Sequence, residues 1–184
     1  MHQIDDYIII LKDIVPSDLC DKIIEEYKNC NQWQRATTRK VNEQGGEDMH
    51  RTCDSIPMSI QSSEYRQKLD YELYNVAVQC LEAYNKKFIW AQVDEDTGYD
   101  LLRYKEGQYY KQHTDSFITN PRLISCSFHL NDDYEGGEFA FFDRKLKYKV
   151  NKGDVIMFPS TFMYPHEVMP VTKGIRYSII TWFR

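Results

Sequence analysis

The tripeptide His113-Thr114-Asp115 places an imidazole and a carboxylate two positions apart in the chain. In an extended segment, side chains at positions i and i+2 point to the same side. The pair could therefore occupy two adjacent positions around a metal ion, and a second histidine from a distant strand would complete a set of ligands. Two histidines and one carboxylate suit non-haem iron(II), because they leave other coordination positions open.

A second histidine and an arginine follow further along the chain. His166 begins a predicted strand, and Arg176 comes ten residues later. A guanidinium group is always charged and can hold a carboxylate through two parallel hydrogen bonds. Alternation along the last predicted strand puts Arg176, Ser178, Ile180 and Trp182 on one face. We expect this face to line a cavity.

The elements that must position these residues change in character near residue 88. Before it, apolar spacing predicts one helix from residue 18 to about residue 28 and another from residue 62 or 63 to about residue 86. After it, short runs rich in β-branched and aromatic residues predict strands, with turn signals such as Gly136-Gly137 between them. These runs are 88–93, 99–105, 108–113, 122–130, 138–142, 147–150, 154–158, 166–171 and 175–183.

This order of elements predicts the fold class. Helices first and strands after favour an α+β fold, with the helices packed on one sheet. Many short strands at regular spacing indicate a sandwich or barrel. The 184 residues suit a single domain with one buried core. We expect residues 1–87 to supply helical support and a loop over the site, and residues 88–184 to carry the metal site.

Composition disfavours several classes of protein. The hydrophobic fraction of 42% is not that of a disordered segment, and no stretch approaches the ~20 apolar residues of a membrane span. The net charge of −5 disfavours a nucleic-acid partner, because phosphate binding needs a basic surface. The five cysteines form no CxxC pair, and no signal-peptide pattern is seen. We therefore expect reduced thiols and a cytoplasmic location.

Taken together, these motifs resemble the double-stranded β-helix (jelly-roll) core of the prolyl 4-hydroxylase-type Fe(II)/2-oxoglutarate-dependent dioxygenases. The resemblance covers roughly residues 88–184, and more loosely the helices before them. The order and spacing of the motifs are more specific than any one of them. The stretches that carry it are 102–108, 113–115, 130–131, 136–139, 153–155, 166–171 and 174–178.

The resemblance implies a role for four residues. His113, Asp115 and His166 would ligate iron, and Arg176 would bind the far carboxylate of 2-oxoglutarate. The implied reaction hydroxylates an unactivated C–H bond and releases succinate and CO2. Fe(II), 2-oxoglutarate and O2 are therefore the expected cofactor and co-substrates, with ascorbate as an optional reductant. Metal and co-substrate would carry the oxidation, while the protein supplies ligands, orientation and a dry pocket.

Four further residues are expected near the co-substrate: Tyr104, His129, Ser178 and Trp182. Tyr104 matches the tyrosine of the family's Tyr-x-x-Gly element, whose ring lines the 2-oxoglutarate pocket. His129 falls where some members carry a tyrosine that bonds the far carboxylate. A neutral imidazole could donate the same bond, and a satisfied core histidine is the alternative interpretation. Retention of Asp115 argues against the halogenating relatives.

The sequence leaves the substrate open. Peptide or protein proline is the first choice by resemblance, and the polar segment 34–57 is either a lid over a peptide or an ordinary solvated loop. A hydroxylase of a free amino acid or other small molecule is the alternative. A nucleic-acid demethylase of the AlkB type is disfavoured, because Trp182 stands where that group carries a second arginine. A catalytically silent β-helix domain that binds a partner is the alternative from another class.

Overall fold

A computed structural model describes residues 3–38, 49–58 and 63–184 of the chain. Helix α1 spans Ser17–Tyr27 and helix α2 spans Glu64–Lys87, so both begin within two residues of the predicted starts. Neither is capped by a side-chain hydrogen bond from the residue before it. The stripes predicted from apolar spacing are the buried faces of the helices. They include Leu19, Ile23 and Tyr27 of α1, and Leu69, Leu73, Val76, Ala77, Cys80 and Tyr84 of α2.

The strands of the described residues form two main antiparallel sheets and one small pair. The strands are β1 (Ile9–Leu11), β2 (Gln34–Arg35), β3 (Asp54–Pro57), β4 (Asp100–Tyr104), β5 (Tyr110–His113), β6 (Ile124–His129), β7 (Glu135–Gly136), β8 (Phe139–Phe141), β9 (Leu146–Tyr148), β10 (Val155–Pro159), β11 (His166–Val168), β12 (Val171–Lys173) and β13 (Arg176–Phe183). The larger sheet has the order β1-β10-β6-β13-β4-β3-β2, and the smaller one has the order β5-β11-β8-β9. Strands β7 and β12 pair separately.

Two hydrophobic clusters explain how these layers pack. One cluster joins α1 and α2 to residues of the larger sheet such as Leu101, Phe128 and Ile179. The other lies between the two sheets and includes Phe141 of the smaller sheet and Phe158 of the larger sheet. Because side chains alternate along a strand, one face of the larger sheet covers the helices and the other faces the smaller sheet. The predicted α+β jelly roll with its helices packed on one sheet is confirmed.

Several elements differ from the sequence predictions. Residues 88–93 form a turn instead of a strand, held to the end of α2 by Asn85, whose side-chain amide donates to the carbonyl of Val93 at 2.9 Å. Strands β1 and β3 come from the part predicted as helical support, yet they pair with β10 and β4. The strand predicted over 166–171 is divided into β11 and β12. The single-domain division stays a prediction.

The polar segment 34–57 is partly described. Its two ends pair as a short hairpin, with Gln34 opposite Ser55 and Arg35 opposite Asp54. Arg51 also bridges to Tyr110 of β5, so the end of the segment extends the edge that carries the predicted metal motif. Residues 39–48, in the middle of this segment, lie outside the described residues, so the lid hypothesis for 34–57 stays a prediction.

Gly136 ends strand β7 at a position that should tolerate no side chain. It has φ +73°, and a Cβ there would be 2.3 Å from the carbonyl oxygen of Pro170. We expect Gly136→Ala to lower the free energy of unfolding by more than about 2 kcal/mol, since the left-handed conformation alone costs roughly 1–2 kcal/mol. Gly107→Ala is the matched control, because Gly107 has φ +77° and no described atom within 4 Å of its Cβ position. Urea denaturation of both variants should show the larger loss for Gly136; equal losses would contradict the clash.

Candidate metal centre and co-substrate pocket

Three potential ligands meet where the edge of the smaller sheet faces the larger one. His113 ends β5, His166 begins β11, and the two residues are directly opposite in the ladder. Asp115 follows in a turn, where its backbone N–H donates to the carbonyl of Ser160 at 3.2 Å. One ligand atom from each of the three side chains lies within 4.8 Å of the other two. The structure thus brings together the residues of the predicted metal set.

Hydrogen bonds fix the orientation of both rings. Nδ1 of His113 lies 2.8 Å from the carbonyl of Lys111, and Nδ1 of His166 lies 3.0 Å from the carbonyl of Tyr164. A carbonyl can only accept, so Nδ1 carries the proton in each neutral ring and Nε2 keeps its lone pair. These two Nε2 atoms lie 3.4 and 3.5 Å from the oxygens of Asp115. Such carbonyl partners are typical of metal-binding histidines, and the donor set fits a divalent ion.

The electrostatics of the three residues also suit a cation. Burial alone would raise the pKa of Asp115, but the adjacent His166 and His113 hold that pKa well below its ordinary value. Ser125 Oγ donates to Asp115 Oδ2 at 2.7 Å. Burial, followed by the neighbouring His113, lowers the pKa of His166 to about 4. At neutral pH the carboxylate is therefore ionised and His166 is neutral, as ligation requires.

Acid should destabilise the metal-free protein through its buried histidines. Burial lowers the folded-state pKa of His166 to about 4 from an ordinary 6.5, so this contribution to stability is complete above pH 6.5 and is lost as the pH falls toward 4. For His166 the loss is on the order of 3 kcal/mol. Urea titrations at pH 7, 6 and 5 would measure it. A flat profile in the unmodified protein would contradict the prediction.

Arg176 is a buried cation without an anionic partner. Its side chain is 1% exposed, Nη1 donates to Ser178 Oγ at 2.8 Å, and Nε is buried with no hydrogen-bond partner. The guanidinium carbon stands 5.1 Å from the centre of the Tyr104 ring. Among the residues that the structure describes, no carboxylate lies within 4 Å of this group. Because a buried unpaired charge is costly, the pocket fits an anion that comes from outside the protein.

A cavity of about 680 Å³ contains both the metal ligands and this arginine. Its size is that of an ordinary small-molecule site. The face of β13 predicted from alternation forms part of the wall, with Arg176 toward one end and Trp182 toward the other. The predicted site residues in the wall are Tyr104, His113, Asp115, His166, Arg176, Ser178 and Trp182.

His129 lies against the guanidinium. Its Nε2 is 3.4 Å from Nη2 of Arg176, and it stands opposite Ser178 in the ladder. Burial, followed by the charge of Arg176, keeps the pKa of His129 well below its ordinary value. Since arginine can only donate, Nε2 of the neutral ring is the acceptor and Nδ1 carries the proton. The imidazole thus faces the arginine, and its direct bond to a co-substrate stays a prediction.

This arrangement makes the contribution of His129 testable. We expect His129→Phe to raise the KM for 2-oxoglutarate about 3- to 10-fold, because Arg176 loses a buried acceptor worth roughly 1 kcal/mol. His129→Gln should stay near the unmodified value, since its amide oxygen can still accept. Succinate formation measured against 2-oxoglutarate concentration compares them. If the phenylalanine variant keeps an unchanged KM, the acceptor role is wrong.

Two arginines in the cavity wall were not predicted as site residues. The guanidinium carbon of Arg122 lies 3.4 Å from the ring centre of Trp182. That of Arg51 lies 4.9 Å from the ring centre of Tyr110, which in turn stacks on His113 at 3.5 Å. No local motif marks either residue. The bridge of Arg51 to β5 joins positions far apart in the chain, and only such pairing brings this arginine to the site.

The fold and site agree with comparisons to known proteins. Residues 99–184 match the sequence model of the 2OG-Fe(II) oxygenase superfamily. A PKHD-type hydroxylase of Idiomarina loihiensis is 37% identical over 88 residues, which are 45% of this chain and 39% of that protein. The chain therefore spans about two fifths of the length of this relative.

Two solved structures share the fold. A prolyl hydroxylase from Trichoplax adhaerens, solved with a hypoxia inducible factor oxygen degradation domain peptide fragment, superposes with a TM-score of 0.79 at 16% identity, over 96% of this chain and 83% of that one. A Pseudomonas putida prolyl-4-hydroxylase gives 0.72 at 20% identity, over 97% of this chain and 92% of that one. The architecture is thus that of the prolyl hydroxylases.

The resemblance to the prolyl 4-hydroxylase-type Fe(II)/2-oxoglutarate dioxygenases, inferred above from motifs, is confirmed. The expected cofactor and co-substrate, Fe(II) and 2-oxoglutarate, are those for which the matching superfamily is named. Within the described ranges, no helix is both long and apolar enough to cross a membrane.

Proposed function

We propose that this chain is an Fe(II)- and 2-oxoglutarate-dependent dioxygenase that hydroxylates proline in a peptide or protein and releases succinate and CO2. The observation that carries the proposal is that three metal-type ligands and a buried guanidinium without an anionic partner share one cavity. The superfamily match supports the class of enzyme. The prolyl hydroxylase fold supports the choice of substrate.

Four side chains would hold the reacting groups. His113 and His166 would bind Fe(II) through Nε2, and Asp115 would bind it through its carboxylate. Arg176 would bind the far carboxylate of 2-oxoglutarate with the donors that have no acidic partner in the described protein. Bound together, the iron and the co-substrate would activate O2 for C–H hydroxylation. The protein needs no general base for this reaction, and we assign none.

The other predicted residues divide between the two ends of the cavity. Tyr104 stands beside the guanidinium, and because burial raises the pKa of its hydroxyl well above the ordinary value, that group stays a neutral donor. Ser178 orients Arg176. Trp182 pairs in the ladder with Ser125, which donates to Asp115, so Trp182 belongs to the metal end. There it would contact the near end of the co-substrate or the substrate.

A free amino acid is the second candidate substrate, and one set of residues favours it. Asp100, Arg51 and Arg122 line the same cavity. Burial raises the pKa of Asp100, while the two nearby arginines oppose that shift. A carboxylate and guanidinium groups in one cavity are complementary to the ammonium and carboxylate groups of a zwitterion. A proline residue inside a peptide chain has neither charge.

One experiment tests the enzyme class and separates the two substrates. The protein is incubated with Fe(II), 2-oxoglutarate, a panel of proline-containing peptides and a panel of free amino acids. Succinate is followed, and mass spectrometry looks for one added oxygen. Succinate with a hydroxylated prolyl peptide supports the proposal. Succinate with an oxidised free amino acid would show that the substrate is a free amino acid instead of proline in a peptide. Iron binding without succinate formation on any panel member would favour the catalytically silent binding domain.

A further inference from the structure

Exposed apolar side chains are concentrated beside the metal ligands. Phe117, Ile118 and Leu123 lie in the segment that follows Asp115, and Phe162 and Met163 lie in the turn before β11. We name these five residues the apolar collar. The described residues include thirteen exposed large hydrophobic side chains, so two short segments hold more than a third of them. Exposed apolar side chains grouped in this way are typical of interaction sites.

Backbone hydrogen bonds hold the two segments together. Ser116 N–H donates to the carbonyl of Ser160 at 3.0 Å, and Ser160 N–H donates to the carbonyl of Leu123 at 2.9 Å. The two segments are therefore held next to each other, although Ile118 is 102% exposed and Phe162 is 82% exposed. Leaving such groups in water has a cost that burial against a partner would remove.

The collar is continuous with the catalytic cavity. Phe117 lines that cavity, while Asn120 of the same segment lines a second cavity of about 440 Å³. The two cavities share Asp100, Arg122 and Trp182. A chain that passed the metal ligands and continued into the second cavity would therefore pass segment 116–123, which carries three of the five collar residues. A compact molecule enclosed in the first cavity would not reach Ile118 or Phe162.

The charge of the collar indicates the chemistry of its occupant. Arg122 is the one charged residue of segment 116–123, and segment 160–163 has none. We propose that the collar binds apolar side chains that flank the oxidised residue in a polypeptide substrate. The collar thus sets a sequence preference that proline alone does not explain. This inference rests on the proposed function, because it assumes that the substrate is a polypeptide.

The test uses two fluorescent peptides of equal length with a central proline. One has leucine and phenylalanine on both sides, and the other has serine and glutamate. Binding to the full chain is measured by fluorescence anisotropy, and hydroxylation by mass spectrometry. The variants are Ile118→Glu and Phe162→Glu. Trp90→Glu is the matched control, because Trp90 is 87% exposed, follows α2 and lines neither cavity. Circular dichroism confirms that each variant folds.

We expect the unmodified protein to bind the apolar peptide at least 10-fold more tightly than the charged one. Both collar variants should lose most of this preference, while Trp90→Glu keeps it. Equal binding of the two peptides, no binding of either, or an unchanged preference in the collar variants would overturn the inference. A dimer in light scattering that both collar variants abolish, without any peptide preference, would assign the surface to a second copy instead. A peptide preference without hydroxylation or succinate formation would support the inference about the collar but reject the proposed reaction.

Discussion

Asp115→Ala should abolish iron-dependent succinate formation and weaken Fe(II) or Mn(II) binding by at least roughly 100-fold. The substitution removes the one anionic ligand of the set, and even changes to the partners of metal ligands cost 10- to 100-fold in affinity. The pKa of Asp115 is held below its ordinary value, so this carboxylate is charged throughout the neutral range. Isothermal titration with Mn(II) and a succinate assay would measure the two effects.

Ser125→Ala provides a graded control for this result. It removes the hydroxyl that donates to Asp115 Oδ2 at 2.7 Å but keeps the carboxylate. We expect it to weaken metal binding by about 10-fold, at the lower end of the range for such partners. If Asp115→Ala retained succinate formation, or if the two variants bound metal equally well, the assignment of Asp115 as a ligand would be wrong.

Arg176→Ala should raise the 2-oxoglutarate concentration needed for half-maximal turnover by roughly 30-fold or more. Removing one partner of a buried hydrogen-bonded charge pair costs about 2–5 kcal/mol, and every 1.4 kcal/mol is tenfold in affinity. The side chain is 1% exposed, so solvent would not replace its charge well. Direct binding of 2-oxoglutarate to the Mn(II) protein would separate this effect from any change in turnover.

Arg176→Lys is the control that keeps the positive charge but removes the planar guanidinium group. Lysine keeps a cation but cannot form the two parallel bonds of a guanidinium, so we expect an intermediate requirement for 2-oxoglutarate. Because Arg176 also contacts Ser178, the unfolding transition of each variant must be compared with that of the unmodified protein. A folded alanine variant with unchanged co-substrate affinity would reject the anchor.

Local spacing predicted those parts of the site that local geometry decides. The alternation from Arg176 to Trp182 follows from the period of an extended strand, and the interval of two in His113-x-Asp115 keeps the pair close although Asp115 lies in the bend after β5. Neither depends on which strand lies alongside. The apolar stripes of the helices were predictable for the same reason, because spacing of three to four residues identifies the buried face.

Features set by contacts between distant segments were beyond local reasoning. The contact of His129 with Arg176 depends on the register of β6 against β13. Segment 34–57 was considered as a lid over the site, but the bridge to β5 that brings Arg51 into the cavity is not indicated by the neighbours of Arg51 in sequence. The strand predicted over residues 88–93 is wrong for the same reason. Their composition favours a strand, but the residues close the end of α2, and tertiary packing decided the outcome.

The pairing of β13 fixes the distance between the two ends of the cavity. This strand is buried along all eight residues, and it is hydrogen-bonded to β4 on one edge and β6 on the other. A slip of one residue would turn Arg176 away from the cavity, so the guanidinium cannot move along the sheet to follow a ligand. The separation between the cationic anchor, Arg176, and the metal ligands is therefore a property of the backbone. Oxo acids one carbon shorter or longer would reach only one of these two groups, so we expect the fixed separation to select the length of the co-substrate.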